Sequence, residues 1–398
     1  MKMIKKSIFL FISAILMLPP SFAATEQVAL YDTVWRLINA KYVDQTNNMQ
    51  DWSKWRRKYD NHIKTDEDAY VAIRTMLASL DDPYTRFLDP KEFSEETSNI
   101  KGSLKGIGVQ IGTRDSKLMV IAPIENTPAE KAGILADDEI IEIDGVSTKG
   151  MTVENAADKI RGEEGTSVTL VIKRKGEIKS YKIQRQEIEV KAVTTKTPHD
   201  TALNPDIGYI RLSSFISKNA AVEFEKALIE QANKKGYIID LRSNPGGLLS
   251  NAVIISQMFL SNKVVVSTID RDGYKDTLRT QRPILTTKPL VVLINKGSAS
   301  ASEITSGALR DNGRALLIGE QSFGKGLVQE INKLPNGSGV NITVQKYYTP
   351  NGTDINKKGI TPDIVVELTE EDVENKKDVQ LIRANDVLTT MINKMSVK

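Results

Sequence analysis

The chain has 398 residues, enough for two or three domains with cores of their own. With 40% apolar and 26% charged residues it is not a disordered polymer, and with no cysteine it has no disulfides, thiol chemistry or cysteine-bound zinc. The formal charge of +3 is that of Lys2, Lys5 and Lys6; without them the chain is neutral, which argues against nucleic acid or an anionic membrane surface as its main partner.

These lysines precede an apolar run from Ile8 to Leu18, and Ser21-Phe22-Ala23 fits a small-x-small cleavage site. Residues 1–23 therefore read as a secretory signal peptide, too short in its apolar core to span a bilayer comfortably. Export follows, with the periplasm as the preferred compartment.

Residues 24–100 read as a helical N-terminal domain. Val28, Leu30, Val34, Leu37 and Ile38 recur at helical spacing, as do Ala69, Ile73, Met76, Leu77 and Leu80. Asp81-Asp82-Pro83 ends the second helix, and a Glu-, Ser- and Thr-rich stretch then reads as a solvated linker. From 101 to 188 the pattern is compact and mixed. "GIGVQIG" and "KLMVIAPI" read as strands, Thr127-Pro128 opens a short helix that stops at Gly133, and "EIIEIDG" is a strand entering a turn. Thr152 opens a helix with Val153, Ala156, Ala157 and Ile160 on one face, and two alternating strands close the unit.

After a linker from Thr194 to Pro205, residues 189–368 alternate strand and helix. "IGYIRL", "YIIDLR", "KVVVSTI", "LVVLIN" and "ALLIGE" are separated by apolar helices, which predicts an α/β layered domain. Residues 369–398 end in an amphipathic helix through Leu381, Ala384, Leu388, Met391 and Ile392. The fold class is thus multidomain α+β.

The stretch "NKGSASASEI", Asn295 to Ile304, places three serines where a buried strand turns into a helix. Free backbone N–H groups gather at such a turn and can stabilise an oxyanion beside a nucleophile. The local alternative is a capping box from Ser300 to Glu303, which needs no chemistry. The residues themselves do not choose between Ser298, Ser300 and Ser302. His62 and His199, the only histidines, sit in polar segments that read as solvated, so lysine is the candidate base. Lys325 stands out between glycines in "SFGKGLVQ", after an apolar strand, where burial would bring its pKa down from ~10.4 toward a base's range. "DLRSNPGG" leaves glycine amides bare at a strand's carboxyl end.

Taken together, "RSNPGG", "GSASASEI" and "FGKGLVQ" resemble the carboxyl-terminal processing peptidases, or tail-specific proteases, across nearly the whole mature chain. The resemblance implies a PDZ-like β-sandwich with two helices, a crotonase-like layered peptidase core and a Ser-Lys dyad. By motif position, Ser300 is the nucleophile, Lys325, 25 residues on, the general base, and Gln329 the residue that positions the lysine. The backbone N–H groups of Gly246 and Ala301 form the oxyanion hole. "GIGV", Gly106, Ile107, Gly108 and Val109, matches the loop that binds a peptide's terminal carboxylate, with the helix from Thr152 to Arg161 as the facing wall. Arg161 is a candidate charged link for gating.

The implied activity is a serine endopeptidase that takes unstructured C-terminal tails and needs no cofactor or metal. An adaptor and a homodimer through the terminal helices are further partner expectations. The rivals are a non-catalytic PDZ scaffold or chaperone on a degenerate hydrolase fold, and a crotonase-like acyl-CoA enzyme, against which the signal peptide counts.

Overall fold

A computed structural model describes residues 25–124, 126–197 and 202–396. The signal-peptide segment and His199 lie outside the described residues. Helix α1 (Glu26–Lys41) starts where the Thr25 hydroxyl accepts the Val28 N–H, and α2 (Asp66–Ala78) starts at a reciprocal capping box between Thr65 and Asp68. Strand β1 (Arg86–Leu88) and helix α3 (Pro90–Lys101) follow. The stretch expected to be a solvated linker is therefore helical. Asp89 and Glu92 form a capping box, Pro90 occupies the first turn, and Gly102 closes the helix at φ +78°. The mixed Glu, Ser and Thr composition hid these end signals.

The second unit runs through β2 (Ser103–Gly106), β3 (Val109–Arg114), β4 (Lys117–Pro123), α4 (Pro128–Lys131), β5 (Glu139–Ile143), β6 (Val146–Ser147), α5 (Val153–Ile160), β7 (Ser167–Arg174), β8 (Glu177–Gln184) and β9 (Gln186–Glu189). Its main sheet has the order β3-β4-β5-β7-β8, leaving β3 on an edge, and β2 pairs with β9. Ile107, Val120, Ile140, Val168 and Leu170 fill the core against Ala156 and Ile160 of α5.

The third unit comprises β10 (Val193–Thr194), β11 (Ile207–Leu212), α6 (Ala220–Glu230), β12 (Gly236–Asp240), α7 (Leu249–Gln257), β13 (Val264–Asp270), β14 (Lys275–Arg279), β15 (Leu290–Ile294), α8 (Ala301–Asp311), β16 (Leu316–Gly319), β17 (Leu327–Lys333), β18 (Gly339–Tyr348) and β19 (Ile364–Val365). Strands β11, β12, β15, β16 and β19 form a parallel sheet in that order, with β10 antiparallel at its edge. Side chains alternate across it. Ile239, Val292 and Ile294 pack toward α6, α7 and α8, while Ile238, Val291 and Leu293 pack toward the C-terminal helix. Burial on both faces explains why these strands read as continuous apolar runs.

Helices α9 (Glu370–Glu374) and α10 (Val379–Ser396) end the chain. Leu381, Ala384, Leu388 and Ile392 of α10 are buried against the sheet, and Leu30, Tyr31, Val34 and Ile38 of α1 are buried as well. The apolar faces of both terminal helices are thus consumed within the chain, so a homodimer built on these helices would have to use their opposite faces. Among the described residues no helix is long and apolar enough to cross a membrane.

Strand β18 joins the ends of the sequence. β17 pairs along one edge, and β1 and β13 pair with successive parts of the other. Val340 and Ile342 of β18 belong to the same core as α1 and α2. The N-terminal helices therefore share a core of their own, which Leu334, Val340 and Ile342 of the third unit close on one side.

Candidate active site

Strand β15 ends at Ile294, and the next residues turn sharply into α8. The three serines of this turn are used differently. Ser298 Oγ donates to the Leu241 carbonyl at 2.8 Å, and Ser302 Oγ donates to the Asn244 carbonyl at 2.9 Å; both side chains are fully buried. Ser300 is half-buried and lines a cleft of about 530 Å³.

Its backbone lies at φ +52°, ψ −113°, a strained conformation for a residue with a Cβ, costing ~1–3 kcal/mol. Neighbouring bonds hold it there. The Ser300 N–H donates to Glu303 Oε2 at 2.8 Å, and its carbonyl accepts from Ile304 N–H at 2.9 Å and from Tyr347 Oη at 3.2 Å. Burial keeps the Tyr347 phenol protonated well above its ordinary range, so it serves as a donor here.

Glu303 does more than the local cap predicted from sequence. Fully buried, its carboxylate also accepts from Ser322 Oγ at 2.5 Å, Gly324 N–H at 2.7 Å and Lys325 N–H at 2.9 Å. One side chain thus fixes the serine turn against the lysine loop. The sequence signal for this role is invisible, because all three partners lie some twenty residues downstream.

Lys325 shares the cleft with Ser300. Burial, aided by Arg86, lowers its pKa from the ordinary lysine value, while Asp82, Glu96 and Glu303 pull the other way. Among the described residues no carboxylate lies within ion-pair distance of its amine. Instead, Nζ sits 4.4 Å from the centre of the Tyr84 ring. Tyr84, Arg86, Glu96 and Ile100 bring the N-terminal segment into the cleft wall, delivered by the pairing of Arg86 with Asn341. Sequence reasoning missed all four.

Beyond β12 the chain forms the Asn244-Pro245-Gly246-Gly247 turn. Gly246 has φ +95°, and a Cβ there would lie 2.6 Å from the Ala299 carbonyl and 2.8 Å from Ala301 N. The turn therefore leans directly on the start of α8 and tolerates no side chain. In this conformation the Gly246 N–H donates to Asn244 Oδ1 at 2.9 Å. The same asparagine donates to the Leu212 carbonyl at 2.7 Å, and its own carbonyl accepts the Ala299 N–H at 3.0 Å.

Gln329, on β17, also lines the cleft, and its Nε2 donates to Thr343 Oγ1 at 3.2 Å. His62 is exposed.

In the second unit, Gly106, Ile107 and Gly108 form one lip of a small groove of about 60 Å³, and Ala157, Ile160 and Arg161 form the other. Gly108 has φ +76°, and a Cβ would strike Thr127 at 2.3 Å. Val109 begins β3, whose outer edge is open for an added strand. Arg161 lies 3.9 Å from Asp158 of its own helix, and the charged contact leaving this helix is made by Asp158, whose carboxylate takes Lys91 of α3 at 3.0 Å.

Residues 206–366 match peptidase family S41, and residues 119–174 match a PDZ domain. The chain is 41% identical over 381 residues to the carboxyl-terminal-processing protease of Synechocystis sp., covering 93% of this chain and 89% of that protein. It is 40% identical over 318 residues to the carboxy-terminal processing protease CtpA of Bacillus subtilis, covering 78% and 67%. Among solved structures, a photosystem II D1 C-terminal processing protease superposes with a TM-score of 0.58 at 35% identity, covering 89% of this chain and 97% of that one. The mixed α/β architecture and its PDZ unit agree with the sequence reading.

Proposed function

The chain belongs to the carboxyl-terminal-processing proteases of peptidase family S41, and from that premise we propose that Ser300 and Lys325 carry its peptidase reaction as nucleophile and general base. The observation that carries this reading is their common cleft. Ser300 is the one serine of three whose side chain opens to it, and Lys325 faces it as a desolvated amine held by no carboxylate among the described residues.

Neutral Lys325 takes the Ser300 Oγ proton as the oxygen attacks the peptide carbonyl. The resulting oxyanion is met by the Ala301 N–H at the start of α8 and by the Gly246 N–H, which exchanges its bond to Asn244 Oδ1 for the substrate oxygen. Collapse breaks the C–N bond, and the Lys325 ammonium gives its proton to the leaving amine. Water then attacks the acyl-enzyme, with Lys325 again accepting the proton, and Ser300 is regenerated. Gln329 steadies the lysine side of the cleft from β17.

The PDZ unit, residues 101–188, captures an unstructured C-terminal tail. Its Gly106–Val109 loop offers backbone N–H groups to the terminal carboxylate, and the tail adds as a strand on the open edge of β3. Residues 189–368 cut the captured chain, and residues 24–100 and 369–398 brace that unit. Export to the periplasm on a signal peptide over residues 1–23, delivery by an adaptor and gating through Arg161 belong to the same reading.

Mass spectrometry of a model protein carrying a floppy apolar tail tests it. Wild type should release fragments, and Ser300→Ala and Lys325→Ala should not. Equal fragments from all three would remove Ser300 and Lys325 from the reaction, and no fragments from any of them would favour the scaffold reading.

A further inference from the structure

Resting on the Ser300–Lys325 reading, we infer that Tyr84 is a positioning residue for the reaction, its ring face receiving the Lys325 ammonium each time the lysine carries the proton. The distance from Nζ to the ring centroid, 4.4 Å, is within range of a cation–π contact.

The backbone that carries the ring is tied down on both sides. Asp82 Oδ1 accepts the Tyr84 N–H at 3.0 Å, and Asp82 Oδ2 accepts from Thr85 Oγ1 at 2.7 Å. Thr85 Oγ1 in turn accepts the Thr343 N–H at 3.0 Å, on the same β18 residue whose hydroxyl receives Gln329. The aromatic wall and the strand behind the lysine are therefore one assembly.

A base in this cleft has to satisfy opposing demands. It must be neutral before attack and charged while the tetrahedral oxyanion exists. A carboxylate at bonding distance would hold the ammonium permanently and abolish the base. A ring face attracts the ammonium and is nearly indifferent to the amine, so it favours the charged intermediate with a weaker pull. The other groups facing Lys325 are Arg86 on β1, which disfavours the charge, and Asp82, Glu96 of α3 and Glu303 of α8, which favour it. Arg86 and Glu96 face each other at 2.9 Å, so their effects largely offset. The Tyr84 phenol is itself pushed up by burial and stays neutral.

The test varies the ring's electron density at constant shape. Phenylalanine or a trifluorinated phenylalanine is placed at position 84 in the full chain; fluorine drains the negative ring face without removing the ring. The Lys325 side-chain carbon signal is titrated by NMR in a Ser300→Ala background and assigned by its loss in Lys325→Met. Tyr84→Phe should titrate as wild type. The fluorinated ring should lower the titration midpoint by about half a unit to one and a half units and, with Ser300 intact, reduce kcat by about 2- to 30-fold without raising KM. An unchanged or raised midpoint, or an equal change in both variants, overturns the inference. If Lys325→Ala still cleaves, the dyad reading itself fails, an outcome the titration does not touch.

Discussion

Replacing Glu303 by glutamine separates a local helix cap from a clamp between the two sides of the site. The carboxylate receives four donors: the N–H groups of Ser300, Gly324 and Lys325, and the Ser322 hydroxyl. In Glu303→Gln one oxygen becomes an NH2 group. The least costly orientation turns that group toward Ser322, whose hydroxyl can rotate to accept, but the Gly324 N–H is then stranded in a dry interior. Such an orphan costs ~1–3 kcal/mol, and the bonds that survive lose their charge assistance at roughly 1 kcal/mol each. The total is about 3–5 kcal/mol, against the ~1 kcal/mol expected for loss of a cap alone. Because the lysine loop hangs on these bonds, kcat/KM should fall about 100-fold, the usual consequence of misplacement by about 1 Å. Urea unfolding and peptide cleavage measured on one preparation provide both numbers. A variant within about 1 kcal/mol of wild type with undiminished kcat/KM would refute the clamp.

Gly246→Ala should fold, judged by far-UV circular dichroism, yet lose at least ~100-fold in kcat, because the new methyl would sit 2.8 Å from Ala301 N at φ +95°; half-normal activity would remove this turn from the oxyanion site. Burial lowers the Lys325 pKa below its unfolded value, so the unfolded chain binds the extra proton and stability should rise with pH between the lowered pKa and 10.5. Lys325→Met should abolish that rise and be no less stable than wild type at pH 7, which chemical denaturation across pH will check. Arg242 is buried between Asp240 and Asp378, each at 2.7 Å, and Arg242→Met removes the guanidinium that both carboxylates share in a dry interior. We expect a loss of about 3–5 kcal/mol in urea unfolding, and a change below about 1 kcal/mol would contradict the pairing.

The layered core was legible because its strands are buried on both faces and its helices carry clear apolar stripes, as in "LVVLIN" and the helix through Leu381 and Leu388. Helix α3 was not, although Asp89, Pro90, Glu92 and Gly102 mark both its ends, because its polar composition carries no apolar stripe. At the site, the residues left Ser298, Ser300 and Ser302 open and only the family resemblance pointed to Ser300; no local pattern reveals that Ser298 and Ser302 spend their hydroxyls on carbonyls. Nor does any local pattern place Tyr84 on Lys325. That contact depends on β1 finding β18, a pairing of residues some 250 positions apart. The engagement of the Gly246 N–H by Asn244 is likewise a matter of one turn's dihedral angles, to which composition is blind.

The β1–β18 pairing also bears on how such an enzyme survives its own making. One wall of the cleft emerges early in synthesis, whereas the strand that fixes it follows Ser300 and Lys325 and is among the last parts to appear. A chain cut short before β18 accordingly lacks a finished cleft, because the wall that carries Tyr84 and Arg86 has no strand to pair with.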